Sequence, residues 1–339
     1  MATVLKCTDA QKIVTDIFRK AGYSAEYAPL VADNLIEAEM RGVRSHGLVQ
    51  VKPYVERFRA GRICNASPEL LQESAATAVV DGHFAPGVVS GIYGMNLAIQ
   101  KAKESGIGVT VVRNGTHFGM AYYYARMALQ QDMIGMAFTN AGAIVAPYGG
   151  IHRELGTNPI CVAVPAGRHD PIVFDAATSE AAFNKLFFAA TEHRQIPKGW
   201  AMDENGEDTE NPSEGMKGAL YPFGGYKGYG LAVMVNILTG LLSGASLAYD
   251  GNGNMQENIN NVGYHFVALD ISKFQKVDEF KQMVDLFADR LKNSEKKNGV
   301  REILIPGEPE FRNAQKAREE GMLLYDGVYG NLIELQNKN

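Results

Sequence analysis

Residues 106–119 read Gly106-Ile-Gly-Val-Thr-Val-Val-Arg-Asn-Gly-Thr-His-Phe-Gly119. The β-branched run over residues 107–112 predicts a buried strand. The helical pattern before it, residues 88–104, closes on Gly106, a residue suited to a left-handed C-cap. A second helix, residues 118–131, and a second strand, residues 133–139, follow. Alternation of this kind indicates an α/β architecture. The two glycines of Gly106-Ile-Gly108 precede the strand. A dinucleotide fingerprint requires them between a strand and the helix after it.

Working outward, amphipathic helices are expected at residues 8–21, capped by Thr8 or Asp9, and at residues 25–42, capped by Ser24. Residues 54–60 form a further helix closed by Gly61. Short strands are expected at residues 78–80, 160–164, 172–174, 264–269 and 303–305. Helices are expected at residues 180–191, 229–242, 277–291 and 310–320. Residues 197–212 are polar and turn-rich. The domain division expected is a helical substrate and dimer unit (1–60 plus 312–339), a small α/β unit (61–120 plus 297–311) and a cofactor-binding unit (121–296).

The chain has 339 residues, of which 46% are hydrophobic and 21% charged, enough for two or three domains with a full core. Its net charge of −5 argues against a nucleic-acid role, which needs a basic face. The three cysteines, Cys7, Cys64 and Cys161, are scattered and form no pair motif, so a reducing compartment is expected. The N-terminus shows no apolar signal core, and no apolar run approaches ~18 residues; the nearest, residues 228–248, is interrupted by polar residues and reads as a buried helix. A cytoplasmic location is the expectation. No zinc-protease, P-loop or serine-hydrolase motif is present, and the histidines form no metal-ligand pair, so no metal is expected.

The segments richest in glycine, histidine and small polar residues carry the chemistry. They are Arg41-Gly-Val-Arg-Ser-His-Gly47, Asn114-Gly-Thr-His-Phe-Gly119, Leu155-Gly-Thr-Asn-Pro159, Phe174-Asp-Ala-Ala-Thr-Ser179 and Phe223-Gly-Gly-Tyr-Lys-Gly-Tyr-Gly230. His46 and His117 each have the chemistry to exchange a proton near neutral pH. Lys227, between glycines at the start of an apolar helix, suits a phosphate. Asp175, Thr178 and Ser179 follow a strand and could bond ribose or pyrophosphate; Asp175 could equally cap the next helix. Residues 156–159 read as a pocket-shaping turn. Arg168 and Arg194 are candidates for a 2′-phosphate. Tyr122, Tyr123 and Tyr124 read as a core or interface stripe, and Trp200 as a packing residue.

In their order and spacing these five segments resemble the type-2 malate/L-lactate dehydrogenases, which include sulfolactate and ureidoglycolate dehydrogenases and diketogulonate reductase. The resemblance runs from about residue 10 to about 325. It implies a non-Rossmann α/β fold with a mixed sheet and flanking helices, NAD or NADP as cofactor, and a homodimer. It places His46 and His117 as catalytic candidates, with the acid/base role open between them. It places Arg44, Ser45, Gln50 and Asn140 at the substrate. It assigns Gly156, Thr157, Asn158, Asp175, Thr178, Ser179, Lys227, Gly307, Glu308 and Pro309 to the cofactor. Many relatives carry Arg where this chain has Gln50, so the carboxylate anchor falls to Arg44, Lys52 or Arg57. The activity implied is hydride transfer between NAD(P) and C2 of a small 2-hydroxy or 2-oxo acid, malate or L-lactate being the leading class. Reduction of a cyclic 2-imino acid, ureidoglycolate oxidation and a non-catalytic metabolite-binding protein are the alternatives.

Overall fold

The computed structural model describes residues 3–247 and 261–337. In chain order the elements are β1 (Thr3–Leu5), α1 (Cys7–Ala21), α2 (Tyr27–Met40), α3 (Val51–Arg59), β2 (Glu69–Glu73), β3 (Thr77–Asp81), α4 (Gly87–Ser105), β4 (Ile107–Gly115), α5 (Tyr122–Leu129), β5 (Met133–Thr139), β6 (Ile160–Val164) and β7 (Ile172–Ala176). They continue with α6 (Phe183–Thr191), β8 (Ala201–Met202), β9 (Asp208–Thr209), α7 (Pro212–Gly215), β10 (Ala219–Leu220), α8 (Tyr226–Asn236), β11 (Val262–Asp270), α9 (Val277–Lys292), α10 (Glu308–Glu320), β12 (Met322–Leu324) and α11 (Asp326–Asn337).

A seven-stranded mixed sheet in the order β2-β3-β4-β11-β5-β6-β7 forms the frame. Only β3 and β4 are parallel, and α4 makes the crossover between them. On β11, Tyr264 and Phe266 face α4 and α5, where their rings lie 4.9 Å and 6.3 Å from that of Phe118. The residue between them, His265, points to the other side, with Nδ1 3.3 Å from Leu238 O. The sheet is therefore covered on both faces. α2 packs on α4, with α1, α3, α10 and α11 in an outer layer, and β1 pairs with β12. A three-stranded sheet, β10-β8-β9, stands apart.

Several boundaries differ from the sequence expectation, each for a local reason. Ser24 does cap α2, its hydroxyl accepting from Tyr27 N at 3.1 Å. α1 begins one residue before Thr8, at an N-cap (Lys6) whose side chain makes no cap bond. α5 starts at Tyr122 because residues 116–121 are needed as a loop. Residues 303–305 form no strand; Pro306 O accepts from Val173 N instead. The helix expected over residues 229–242 starts at Tyr226 and passes into a π-turn, Ile237–Leu241. It is not buried within the chain: Leu231, Met234, Ile237, Leu241 and Leu242 are exposed. Ala248, the last residue of that apolar stretch, lies outside the described residues. Among the described residues no helix is long and apolar enough to cross a membrane. The tyrosine stripe is core: Tyr122, Tyr123 and Tyr124 are all buried.

Candidate active site

Two turns bring the histidines together. After α2 the chain makes two short 3-10 turns, Arg44–His46 and Leu48–Gln50, before entering α3. Leu48 N donates to Glu39 Oε2 at 3.0 Å, which fastens this segment to α2. His117 follows β4, on a loop that crosses the start of α4. A Cβ on Gly87 there would lie 2.5 Å from His117 O, so only glycine lets the backbones approach.

The imidazoles of His46 and His117 stack with centroids 5.4 Å apart and planes 17° apart. Ser45 Oγ lies 2.8 Å from His46 Nδ1. The Tyr54 hydroxyl lies 2.5 Å from His117 Nδ1 and 3.2 Å from His117 O. A hydroxyl both donates and accepts, so each ring can hold either tautomer while its orientation is fixed. Tyr54 can donate to Nδ1, or donate to the carbonyl and accept from Nδ1–H. Desolvation lowers the His46 pKa to about 4. It lowers that of His117 well below the usual value, helped by the nearby His46 and Arg57. Both imidazoles are neutral at pH 7.

This has a consequence for stability. An unfolded chain protonates these rings near pH 6.5, and the native state resists until about pH 4 for His46. The contribution is complete above pH 6.5 and is lost as pH falls through that window, by no more than about 1.4 kcal/mol per pH unit per ring. Urea unfolding at pH 7.5, 6 and 5 should show this slope, flattened in a His46→Asn/His117→Asn variant. An equal slope in that variant would contradict the assignment.

Two cavities meet at the histidines, one of about 1150 Å³ and one of about 110 Å³, and His46, His117, Gly119, Thr157 and Pro159 line both. The larger runs past Phe174, Asp175 and Phe188 to Ile305 and Gly307. Gly307 has φ +92°, and a Cβ there would lie 2.8 Å from Val173 Cβ, so the 304–309 segment lies directly on β7. Flat apolar side chains alternating with small residues and open backbone suit the rings and the sugar-phosphate chain of a dinucleotide. The smaller chamber is lined by Arg57, Arg62, Asn140, Ala141 and Gly142, and suits a small acid.

The structure brings together His46, His117, Arg44, Ser45, Gln50, Thr157, Asp175, Gly307 and Pro309 on the larger cavity. Arg44 Cζ sits 4.8 Å over the Tyr325 ring, on that side rather than in the smaller chamber. Gln50 Nε2 donates to Ser45 O at 2.8 Å, so its amide shapes the His46 turn. Asn140 lines the smaller chamber, its amide bonded to Ser246 O at 2.6 Å and Gly263 N at 2.9 Å. Asp175 Oδ2 accepts from Tyr122 N at 2.8 Å, so it caps α5 and not the helix that follows it. The residue is exposed to the cavity at the end of β7, and desolvation by the surrounding wall pushes its pKa up to about 6.

Other expected residues lie behind the wall. Asn158 Oδ1 accepts from Ala141 N at 3.2 Å while its Nδ2 donates to Ala232 O at 2.9 Å. Thr178 Oγ1 donates to Thr157 O at 3.0 Å, and Ser179 Oγ to Ala181 O at 2.7 Å. Gly156 lines neither cavity; a Cβ there would lie 2.5 Å from Ala141 O. Glu308 holds the 304–309 segment: Lys292 Nζ lies 2.6 Å and Arg312 2.6 Å from its carboxylate, and Ile305 N donates to it at 3.0 Å. Those bonds outweigh desolvation and lower its pKa to about 2. Lys227 is exposed at the start of α8 and lines neither cavity of the single chain, nor does the exposed Lys52. Arg168 is outside both and pairs with Asp289 at 2.7 Å. Arg194 lines the larger cavity, paired with Glu192 at 2.5 Å. Trp200 also lines it, with Lys185 Nζ 5.3 Å from its ring.

Three residues went unread in the sequence: Tyr54, Asn184 and Arg62. Asn184 Nδ2 donates to Ser45 O at 3.1 Å from 139 residues away, and no local pattern announces it. Tyr54 was visible only as a helix residue. Arg62, just beyond the Gly61 helix stop, carried the one available signal, an unexplained cation after a turn.

The model of the malate/L-lactate dehydrogenase family matches residues 5–333. The chain is 39% identical to the L-sulfolactate dehydrogenase of Methanocaldococcus jannaschii over 339 residues, covering 99% of this chain and 97% of that protein. It is 38% identical to the malate dehydrogenase of Pyrococcus abyssi, covering 96% and 92%. The crystal structure of malate dehydrogenase from Entamoeba histolytica superposes with a TM-score of 0.93 at 32% identity, covering 100% of this chain and 99% of that one.

Proposed function

The chain belongs to the malate/L-lactate dehydrogenase family, and on that premise we propose that it moves a hydride between NAD or NADP and C2 of a small 2-hydroxy or 2-oxo acid such as malate, sulfolactate or L-lactate. The observation that carries this reading is the stacked pair His46 and His117 at the junction of a long cavity and a small chamber whose lining includes Arg57 and Arg62.

When bound in the larger cavity, the nicotinamide accepts or supplies the hydride. In oxidation, a neutral imidazole takes the C2 hydroxyl proton as hydride leaves C2, giving imidazolium and the 2-oxo acid. In reduction, imidazolium returns the proton to the carbonyl oxygen. His117 is the better proton carrier, because the Tyr54 hydroxyl beside Nδ1 has two alternative acceptors and adjusts to either state. His46, held by Ser45, orients the oxygen. The low pKa of the pair keeps the base form available for oxidation and makes the imidazolium a strong acid for reduction. Phe174, Ile305 and Gly307 would hold the dinucleotide.

An absorbance assay at the reduced-nicotinamide band tests this, run with NADH and NADPH across pyruvate, oxaloacetate, sulfopyruvate and a cyclic imine. Turnover of at least one 2-oxo acid is expected. Turnover of the imine alone, or of nothing, contradicts the reading.

The exposed apolar faces of α8 with its π-turn (Leu231, Met234, Leu241, Leu242) and of α9 (Met283, Leu286, Phe287) support a homodimer. Sedimentation should give twice the 36.9 kDa chain mass; a monomer at micromolar concentration contradicts it.

A further inference from the structure

The larger cavity lies where two hydrophobic clusters meet. The turn that carries His46 is anchored in the first, through Leu48 and Val51, which cluster with α1, α2 and the central sheet. α6 is anchored in the second, where Leu186 and Ala189 cluster with Val145, Ala201 and Leu220. Both segments line the cavity, the turn through Ser45 and His46 and the helix through Asn184 and Phe188. From the first turn of α6, Asn184 Nδ2 reaches across and donates to Ser45 O at 3.1 Å. Asparagine is a weak helix former, and it is not the cap of this helix, a position that Ala182 holds. Its amide serves the neighbouring cluster instead.

Ser45 O has two amide donors, and they do different things. Gln50 Nε2, at 2.8 Å, lies five residues further along and shapes the turn from within. Asn184 comes from the other cluster and sets where the turn stands relative to the far wall. The Ser45 carbonyl belongs to the rigid peptide plane that enters His46, and Ser45 Oγ lies 2.8 Å from His46 Nδ1. Rotation of that plane therefore moves the imidazole and its partner together. A second bridge runs beside the first: the Phe188 ring lies 5.8 Å from that of Tyr325, over which Arg44 Cζ sits at 4.8 Å. Ring contacts of this kind hold a spacing, whereas a hydrogen bond to a carbonyl also holds a direction. We infer that Asn184 is a positioning residue: it ties α6, a wall of the dinucleotide cavity, to the Ser45 carbonyl and so orients His46 for the transfer step. This rests on the dehydrogenase reading above.

Two measurements test it, and the first needs no turnover. In protein carrying isotope-labelled histidine, NMR follows the His46 ring as pH falls, the signal being identified by its loss in His46→Ala. Burial keeps this ring neutral down to about pH 4. Asn184→Leu keeps the size of the side chain and removes the donor, so the loosened turn should let the ring take up its proton at higher pH. The second is kcat on a 2-oxo acid that the wild-type protein turns over. Asn184→Leu should lower it by about 3–10-fold, the scale of one neutral hydrogen bond. Asn184→Asp, equal in shape but without the donor, should lose as much, and Asn184→Gln should recover part. Added to His46→Ala, Asn184→Leu should cost nothing further, because the group it positions is gone. An unmoved His46 titration, an equal loss in the His46→Ala background, or an unchanged kcat with only the NADH Kd raised overturns the inference and leaves the dehydrogenase reading standing. Turnover of no 2-oxo acid sinks the dehydrogenase reading and the catalytic part of this inference, while the titration still decides whether Asn184 holds the His46 turn.

Discussion

His117→Ala is expected to lower kcat by about 10²–10⁴, the usual contribution of a positioned general acid or base. The size follows from how the ring is held. Its Nδ1 is engaged by the Tyr54 hydroxyl, its backbone is pressed against Gly87, and its face is covered by His46. Water entering the vacated space would be less well placed and a weaker base. Dinucleotide affinity should change little, because most of the larger cavity lies away from this ring. His46→Ala should cost less, since it removes the orienting group and leaves the proton carrier. Single-turnover kinetics with NADH separate the chemical step from release. A wild-type single-turnover rate in His117→Ala would remove His117 from proton transfer.

Phe266→Ala is expected to destabilise the protein by about 3–5 kcal/mol, the usual cost of emptying a buried aromatic site. Phe266 is fully buried on β11 and packs against Tyr124 at 5.4 Å, Tyr264 at 6.0 Å and Phe118 at 6.3 Å between ring centroids. Its edge also fills the space left by Gly94 on α4. Phe118 follows His117 directly, so this cluster sets the height of the His117 loop above the sheet. The variant should therefore lose kcat as well as stability, and Phe266→Leu should recover much of both. Urea unfolding with parallel kinetics measures the two effects. A loss below 1 kcal/mol would mean that the cluster can collapse around the gap and does not fix the loop.

The fold was legible where residue chemistry and periodicity agree. The valine-rich β4, the Gly106 cap of α4 and the Ser24 cap of α2 are readable locally because their causes are local. β2 was missed because Glu69-Leu-Leu-Gln-Glu73 lacks β-branched residues, and its strand state is imposed by pairing with β3. β1 and β12 exist only through each other, 317 or more residues apart in register. Residues 303–305 look like a strand but find no partner, and become cavity wall instead. At the site, the glycine-framed histidines were legible because turns and titratable groups leave a mark in sequence. Glu308 and Asn158 were recognisable as part of the region, though their side chains hold its scaffold. Tyr54 and Asn184 were not legible, since each meets a partner far along the chain, His117 and Ser45, brought near only by folding; Arg62 left only the mark of a cation after the Gly61 turn.

The most direct test is a crystal structure of the protein with NADH and oxamate, an unreactive 2-oxo acid analogue. The account predicts the nicotinamide ring at the junction of the two cavities and the oxamate in the smaller one. Its carbonyl oxygen should lie about 2.6–3.2 Å from an imidazole nitrogen, with C2 about 3–3.5 Å from the nicotinamide C4. A nicotinamide ring bound away from His46 and His117, or oxamate out of reach of both, would contradict it.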